Sequence, residues 1–211
     1  MKLTKFEHAC LIVEVADSRL IVDPGVFTMP LGEFGNVVAV VITHEHGDHW
    51  TDEQLSRIVE RNPDVTIYGP AGVVAAVTGH TVIEVRDGDV IDADPFTLTF
   101  AGKKHAVIHE SIPVIDNVGV LINERLYYGG DALIVPPFPV DTLAAPVGAP
   151  WLKIGDAMDY VLAVKPRRVF PVHEMTLSVA GKGMANDRLT WATNQNGGEY
   201  FVLEPAETLD L

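Results

Sequence analysis

Apolar and polar residues alternate through KLTKF, CLIVEV and RLIVD, which predicts a short antiparallel meander over residues 2–23, turning at Asp17-Ser18 and closing at Asp23-Pro24-Gly25. VVAVVIT is different: a continuous Val-rich run, suited to a strand buried on both faces. Thr51-Asp52-Glu53-Gln54 has the form of a capping box, so a helix is expected through QLSRIVER, ending before Pro63. VTIYG then reads as a strand and residues 70–78 as a short helix stopped by Gly79. TVIEV, the turn DGD and the alternating FTLTF follow, and VGVLI with RLYYG predicts a hairpin about Asn123-Glu124. Residues 134–150 are proline-rich and are expected to form an ordered, irregular loop around a short strand at DTLAAP. Beyond it the pattern predicts a helix through WLKIGDAMDYVLAV, the strand RRVFPV, a helix near MANDRLTWAT and a terminal strand EYFVLE. Each half mixes strands with one or two helices, which points to an α/β architecture of mixed sheets with helices outside.

A length of 211 residues is consistent with one domain spanning 1–211. No apolar run approaches the roughly 20 residues that a bilayer requires. The first residues lack the order of charge, apolar core and small residues that marks a secretion signal, so a cytoplasmic location is expected. Cys10 is the only cysteine, which excludes a disulfide framework and a thiolate zinc site. A formal net charge of −14 repels phosphate backbones and anionic lipid, so neither nucleic acid nor membrane is expected as a partner. A small-molecule substrate fits better. Phe138, Val140 and Trp151 in and beside the proline-rich loop offer a possible contact for a homo-oligomer.

The chemistry concentrates in THEHGDHW, residues 43–50, directly behind the VVAVVI strand. Imidazoles and carboxylates crowded behind a buried strand are costly unless a cation holds them. In extended chain, side chains two apart point the same way, so His44 and His46 can share one ion. Gly47 permits a sharp turn, after which Asp48 and His49 can reach a second point nearby. Imidazole and carboxylate are good ligands for borderline metals such as Zn²⁺. Further ligands have to come from other strand ends, where the candidates are His105 and His109 in GKKHAVIHE, Asp131 after RLYYGG, and His173 after RRVFPV.

The series His44-x-His46-x-Asp48-His49, then a lone His, then Gly-Asp, then a strand ending in His resembles the metallo-β-lactamase superfamily, from Asp23 to His173. FPVHEMTLS and the short chain resemble its minimal metal-dependent hydrolases, a group that includes ascorbate phosphate lactonase relatives. The resemblance implies a four-layered αβ/βα sandwich of two mixed β-sheets with outer helices. It implies one ion on His44, His46 and His105, a second on Asp48, His49 and His173, and Asp131 bridging them. Between the two histidines of HAVIH, His105 is favoured as nearer the preceding strand, leaving His109 facing the pocket or solvent. Asp23 matches a supporting carboxylate rather than a ligand.

The resemblance further implies two divalent ions, Zn²⁺ first with Mn²⁺ or Fe²⁺ as alternatives, and hydrolysis of an ester, lactone, amide or phosphoester, with Asp48 accepting a proton or orienting the nucleophile. A mononuclear iron enzyme of oxygen or sulfur chemistry and a non-catalytic metal-binding scaffold are the competing readings. His8 is expected either to line the site or to be a structural histidine; Phe27, Met29, Phe34 and Trp50 either form an apolar pocket wall or belong to the core. Lys103 and Lys104 read as a solvated basic turn, with reception of one anionic group as the alternative.

Overall fold

The computed structural model describes residues 1–211. In chain order its elements are β1 (Lys2–Lys5), β2 (Leu11–Val15), β3 (Ser18–Val22), β4 (Val37–Val41), α1 (Asp52–Arg61), β5 (Thr66–Gly69), α2 (Ala71–Ala76), β6 (Val82–Glu84), β7 (Val90–Ala93), β8 (Phe96–Ala101), β9 (Gly119–Ile122), β10 (Leu126–Tyr128), β11 (Thr142–Pro146), α3 (Ile154–Val164), β12 (Arg168–Val172), α4 (Val179–Gln195), β13 (Glu199–Tyr200) and β14 (Thr208–Asp210). They form two seven-stranded sheets, ordered β14-β1-β2-β3-β4-β5-β6 and β13-β12-β11-β10-β9-β8-β7. Each sheet is antiparallel on one side and parallel on the other.

The two-residue period sorts the side chains into layers. In the first sheet Leu11, Val13, Leu20, Val22, Ala39 and Val41 face the second sheet, meeting Phe96, Leu98, Phe100, Val120, Tyr128 and Phe170. Their neighbours Ile12, Ile21 and Val40 face outward onto Leu55 and Ile58 of α1. On the far side Tyr127, Leu143 and Val169 pack against Tyr160 and Val161 of α3 and Leu189 of α4. Three apolar interfaces between four layers make this the expected αβ/βα sandwich. No helix is long and apolar enough to cross a membrane.

Strand direction places the chemistry. β1 and β3 are both antiparallel to β2, and β4 runs parallel to β3, so all three finish at one edge. By the same reasoning β8, β10, β11 and β12 finish together in the other sheet. The residues just past these ends include His8, Asp23, His44, His105, Asp131 and His173. One rim therefore collects them, as ligand sites collect at carboxyl ends of parallel strands.

Five local expectations change. The stretch TVIEV, DGD and FTLTF is split between the sheets: β6 closes the edge of the first, whereas FTLTF, as β8, pairs in the second with β7, a strand the pattern did not predict. The last helix starts at Val179, capped by the Ser178 hydroxyl accepting from Gly181 N–H (3.1 Å), several residues before MANDRLTWAT. EYFVLE supplies only Glu199–Tyr200, and the chain returns so that Thr208–Asp210 pairs with β1. Trp151 lies ahead of α3 rather than within it. The capping box is half formed: Thr51 Oγ1 accepts from Gln54 N–H (3.1 Å), but the buried Gln54 side chain turns to Thr28 O (2.9 Å) and Met29 O (3.0 Å) and accepts from Leu31 N–H (3.1 Å). Its amide thereby fastens the loop after Asp23 to α1.

That loop passes very close to the histidine motif at Gly25. A Cβ there would stand 1.8 Å from Asp48 O and 2.1 Å from Asp48 C. Both obstacles are backbone, so relief requires moving the Asp48 segment. Gly25→Ala is expected to lower stability by more than about 2 kcal/mol, seen as a fall in thermal midpoint, with loss of tight metal uptake.

Candidate metal centre

The rim holds two sets of donor atoms, each lying within 4.8 Å of one another: His44, His46, His105 and Asp131, and His8, Asp48, His49 and His173. In the first, His44 Nε2 is 3.1 Å from His46 Nδ1, and Asp131 Oδ2 is 3.4 Å from His105 Nε2 and 4.0 Å from His44 Nε2. In the second, His49 Nε2 and His173 Nε2 are 3.3 Å apart and stand 3.9 and 3.6 Å from Asp48 Oδ2. Asp131 lies between the sets: its Oδ1 is 3.2 Å from His49 Nε2 and its Oδ2 is 3.2 Å from His173 Nε2.

The far nitrogens decide what these rings present. His49 Nδ1 donates to Asp23 Oδ2 (2.7 Å), His105 Nδ1 to Ala106 O (2.6 Å) and His173 Nδ1 to Gly148 O (2.6 Å). Thr43 Oγ1 gives its proton to Asp23 Oδ2 (2.7 Å), so it accepts from His44 Nδ1 at 3.0 Å. With each Nδ1 carrying the proton, the neutral rings of His44, His49, His105 and His173 all turn an Nε2 lone pair inward. Lone pairs of His49 and His173 then face each other, and His105 Nε2 and Asp131 Oδ1 are buried without a hydrogen-bond partner. Buried acceptors facing acceptors are unfavourable unless cations lie between them. The donor set, all nitrogen and oxygen, fits divalent transition metals.

The metal-free charge pattern tells the same story. Burial, together with the charges of His49 and the neighbouring histidines, holds His44 well below the usual imidazole range. Burial would lower His49 too, but Asp131 and Asp23 outweigh it and raise that ring well above its ordinary value. Burial pushes Asp131 upward, yet the charge of His49 and the close approach of the His105 and His173 rings hold it well below the carboxylate range. Asp48 is lowered as well: burial opposes this, while the His8 hydrogen bond and the His49 and His173 charges prevail. Without metal, His49 is the ring that holds an added proton between these groups, while burial drives His44, His46 and His8 towards the neutral form.

Supporting residues come from distant positions. Asp23, buried at φ 48°, also accepts from Thr43 N–H (2.8 Å) and so locks the start of the motif. Asn117 Oδ1 accepts from Asp131 N–H (3.0 Å) while its Nδ2 donates to Gly129 O (2.9 Å). Gly130 lies at φ 61°, where a Cβ would meet Asn117 Oδ1 at 2.4 Å, so the Gly-Gly pair lets this strand exit reach the rim. Trp151 Nε1 donates to Asp131 Oδ2 (2.9 Å), and its ring stands edge-on to those of His105 and His173. Sequence reasoning placed Trp151 in a helix and at a subunit contact; no periodic signal marks a tryptophan that reaches across loops. Asn117 was missed for the same reason. His109 is exposed, bonded to Ser111 Oγ (2.8 Å), and belongs to neither set. Lys104 pairs with Asp116 (2.7 Å), and Lys103 with Asp87 (3.5 Å).

The family model described as a beta-lactamase superfamily domain matches residues 2–173. The chain belongs to the metallo-β-lactamase superfamily. Within the superfamily it is 39% identical over 213 residues to the Mycobacterium tuberculosis protein Rv0786c, covering 99% of this chain and 98% of that one. It is 24% identical over 230 residues to a Sulfolobus acidocaldarius protein named a UPF0173 metal-dependent hydrolase, covering 97% and 96%. Among solved structures, Igni18, a metallo hydrolase from Ignicoccus hospitalis, superposes with a TM-score of 0.74 at 20% identity, covering 99% and 97%. CmlA, a diiron beta-hydroxylase from Streptomyces venezuelae, gives 0.77 at 18%, over all of this chain and 54% of its own. At these identities the two structures establish the shared fold of the superfamily.

The indole N–H on Asp131 gives a direct test of that carboxylate's setting. Trp151→Phe keeps the ring and removes the donor, and is expected to weaken metal affinity by roughly 10–100-fold, measured by competition with a chromophoric chelator.

Proposed function

We propose that this member of the metal-dependent hydrolases cleaves a small ester or lactone with two divalent ions, Zn²⁺ first among the candidates. The observation that carries the reading is the pair of separate donor sets with one carboxylate between them. A mononuclear iron enzyme would need only one set. When bound, a pair of divalent ions supplies a water that ionises near neutral pH and a Lewis acid for a carbonyl or phosphoryl oxygen.

The chain's own residues would do the rest. His44, His46, His105 and Asp131 would hold the first ion, and Asp48, His49 and His173 with the shared Asp131 the second. Asp23, Ala106 O, Gly148 O and Thr43 fix the ring orientations, so little reorganisation is needed at the moment of reaction. Asp48 is the carboxylate with solvent access, its side chain 28% exposed against 4% for Asp131. It is therefore available to orient the attacking water.

Three lysines next to site residues in the chain have carboxylate partners. Lys103 and Lys104 are paired, and Lys5 is buried against Glu174 Oε1 (2.7 Å). Apolar surface is available instead: Phe27 stands edge-on to His8 and is 42% exposed, and Met29 and Met175 are exposed on neighbouring loops. This favours a neutral ester or lactone with an apolar group over a phosphoester. The test is metal quantitation on the purified chain, then lactone, ester, phosphodiester and thioester panels with and without chelator. Two ions per chain and chelator-sensitive turnover of lactones or esters are expected. One iron per chain with no hydrolysis would overturn the reading.

A further inference from the structure

His8 lies outside the histidine motif, three residues past β1, yet its ring is fully buried within the second donor set. Its backbone is in the left-handed region at φ 63°, and so is that of His173 at φ 65°. Such a conformation costs a non-glycine residue roughly 1–2 kcal/mol and persists where the surroundings over-determine it. Here they do. His173 N–H donates to His8 O (2.8 Å), and the two rings lie with centroids 3.8 Å apart. Glu174 Oε1 accepts from both Lys5 Nζ (2.7 Å) and His8 N–H (3.2 Å). A fully buried ion pair contributes little net stability, so tying the exits of β1 and β12 together is better understood as aiming the rings.

The rings are aimed at a common point. His8 Nε2 is 3.2 Å from Asp48 Oδ2, which in turn is 3.6 Å from His173 Nε2 and 3.9 Å from His49 Nε2; the last two are 3.3 Å apart. Donors bound tetrahedrally at roughly 2.0–2.2 Å stand about 3.3–3.6 Å from each other. We propose that His8 is a direct ligand of the second ion through Nε2, completing a shell of His8, Asp48, His49 and His173. This rests on the two-ion reading above. With Asp131 shared, the second ion has more protein donors than the first, which leaves the first the more open of the two. His8 Nδ1 has no hydrogen-bond partner, unlike the far nitrogens of His44, His49, His105 and His173, so His8 is the least supported donor of the set.

The competing role is a positioning one, with Nε2–H donating to Asp48 and no bond to metal. Loading the wild-type chain with an NMR-active cadmium isotope separates the two, because ligating imidazoles show scalar coupling between ring protons and the metal. The expected result is one cadmium coupled to His8, His49 and His173 and another to His44, His46 and His105. Two cadmium signals with no coupling to His8 overturn this inference alone; a single cadmium per chain overturns it together with the two-ion reading. His8→Asn, chosen because asparagine tolerates positive φ, is expected to keep the first ion and weaken the second by more than about 100-fold, beyond the roughly 10–100-fold of an outer-shell partner. Unchanged affinity for the second ion would overturn the ligand role.

Discussion

An Asp131→Ala chain will lose hydrolysis by roughly a thousandfold or more and will hold neither ion tightly. Asp131 is the one carboxylate within reach of both donor sets, at 3.2–4.0 Å from the inward nitrogens of His44, His49, His105 and His173. Removing it takes a negative charge from between two cations and leaves each shell short of a donor. A divalent ion contributes several kcal/mol of transition-state stabilisation, and about 4 kcal/mol corresponds to that factor in rate. The chain should still fold, since Asp131 forms no part of the three apolar layers and Asp23 remains as a partner for His49. Far-ultraviolet circular dichroism and metal analysis on the same sample check both halves of the expectation. His109→Ala is the control: its ring is exposed and bonded to Ser111, so rate and metal content should stay within error of wild type. Near-normal turnover by the Asp131 variant would remove the shared carboxylate from the mechanism.

The parts of this site that could be read from sequence are those written in local periodicity. VVAVVI is apolar because β4 is buried on both faces, and THEHGDHW follows because a strand exit is where polar groups can converge. His105, Asp131 and His173 were legible as polar residues behind other β runs, and Gly129-Gly130 hinted at close backbone passage. What stayed hidden is set by packing between distant segments. Trp151 reaches Asp131 across a proline-rich loop, and Asn117 braces Asp131 from the far side of a hairpin. His8 joins the second set because Glu174 and Lys5 draw two chain exits together, a pairing over 169 residues of sequence that no window contains. In the fold, β7 was missed because VIDA is half-exposed and its apolar signal is weak, while DGD reads as a tight turn although the chain there passes between sheets. The start of α4 was missed because two glycines in VAGKG lower local helix propensity, although the Ser178 cap was in view.

Stripping the ions will lower the thermal midpoint by about 15 °C or more. Each ion at a free concentration near a thousand times its dissociation constant stabilises the fold by about 4 kcal/mol, and a chain of this size shifts by roughly 2–4 °C per kcal/mol. The metal-free chain must meanwhile accommodate inward lone pairs, and a proton on His49 offsets only part of that cost. His44 is depressed, so in the metal-free chain its contribution is present above the unfolded imidazole value of 6.5 and is lost as pH falls below it. His49 is raised, so its contribution is complete below 6.5 and is lost as pH rises through its higher folded value. The two act on opposite sides of 6.5, so the metal-free profile peaks near that pH and falls away on both sides. In the loaded chain acid also supplies protons that compete with metal for every Nε2. The gap between loaded and stripped midpoints should therefore be widest near and above pH 7 and should close towards pH 5. Scanning calorimetry across that interval, with and without chelator, reads it directly. A gap of constant size would mean that the ions are not held by titrating imidazoles, and the donor sets described above would have to be abandoned.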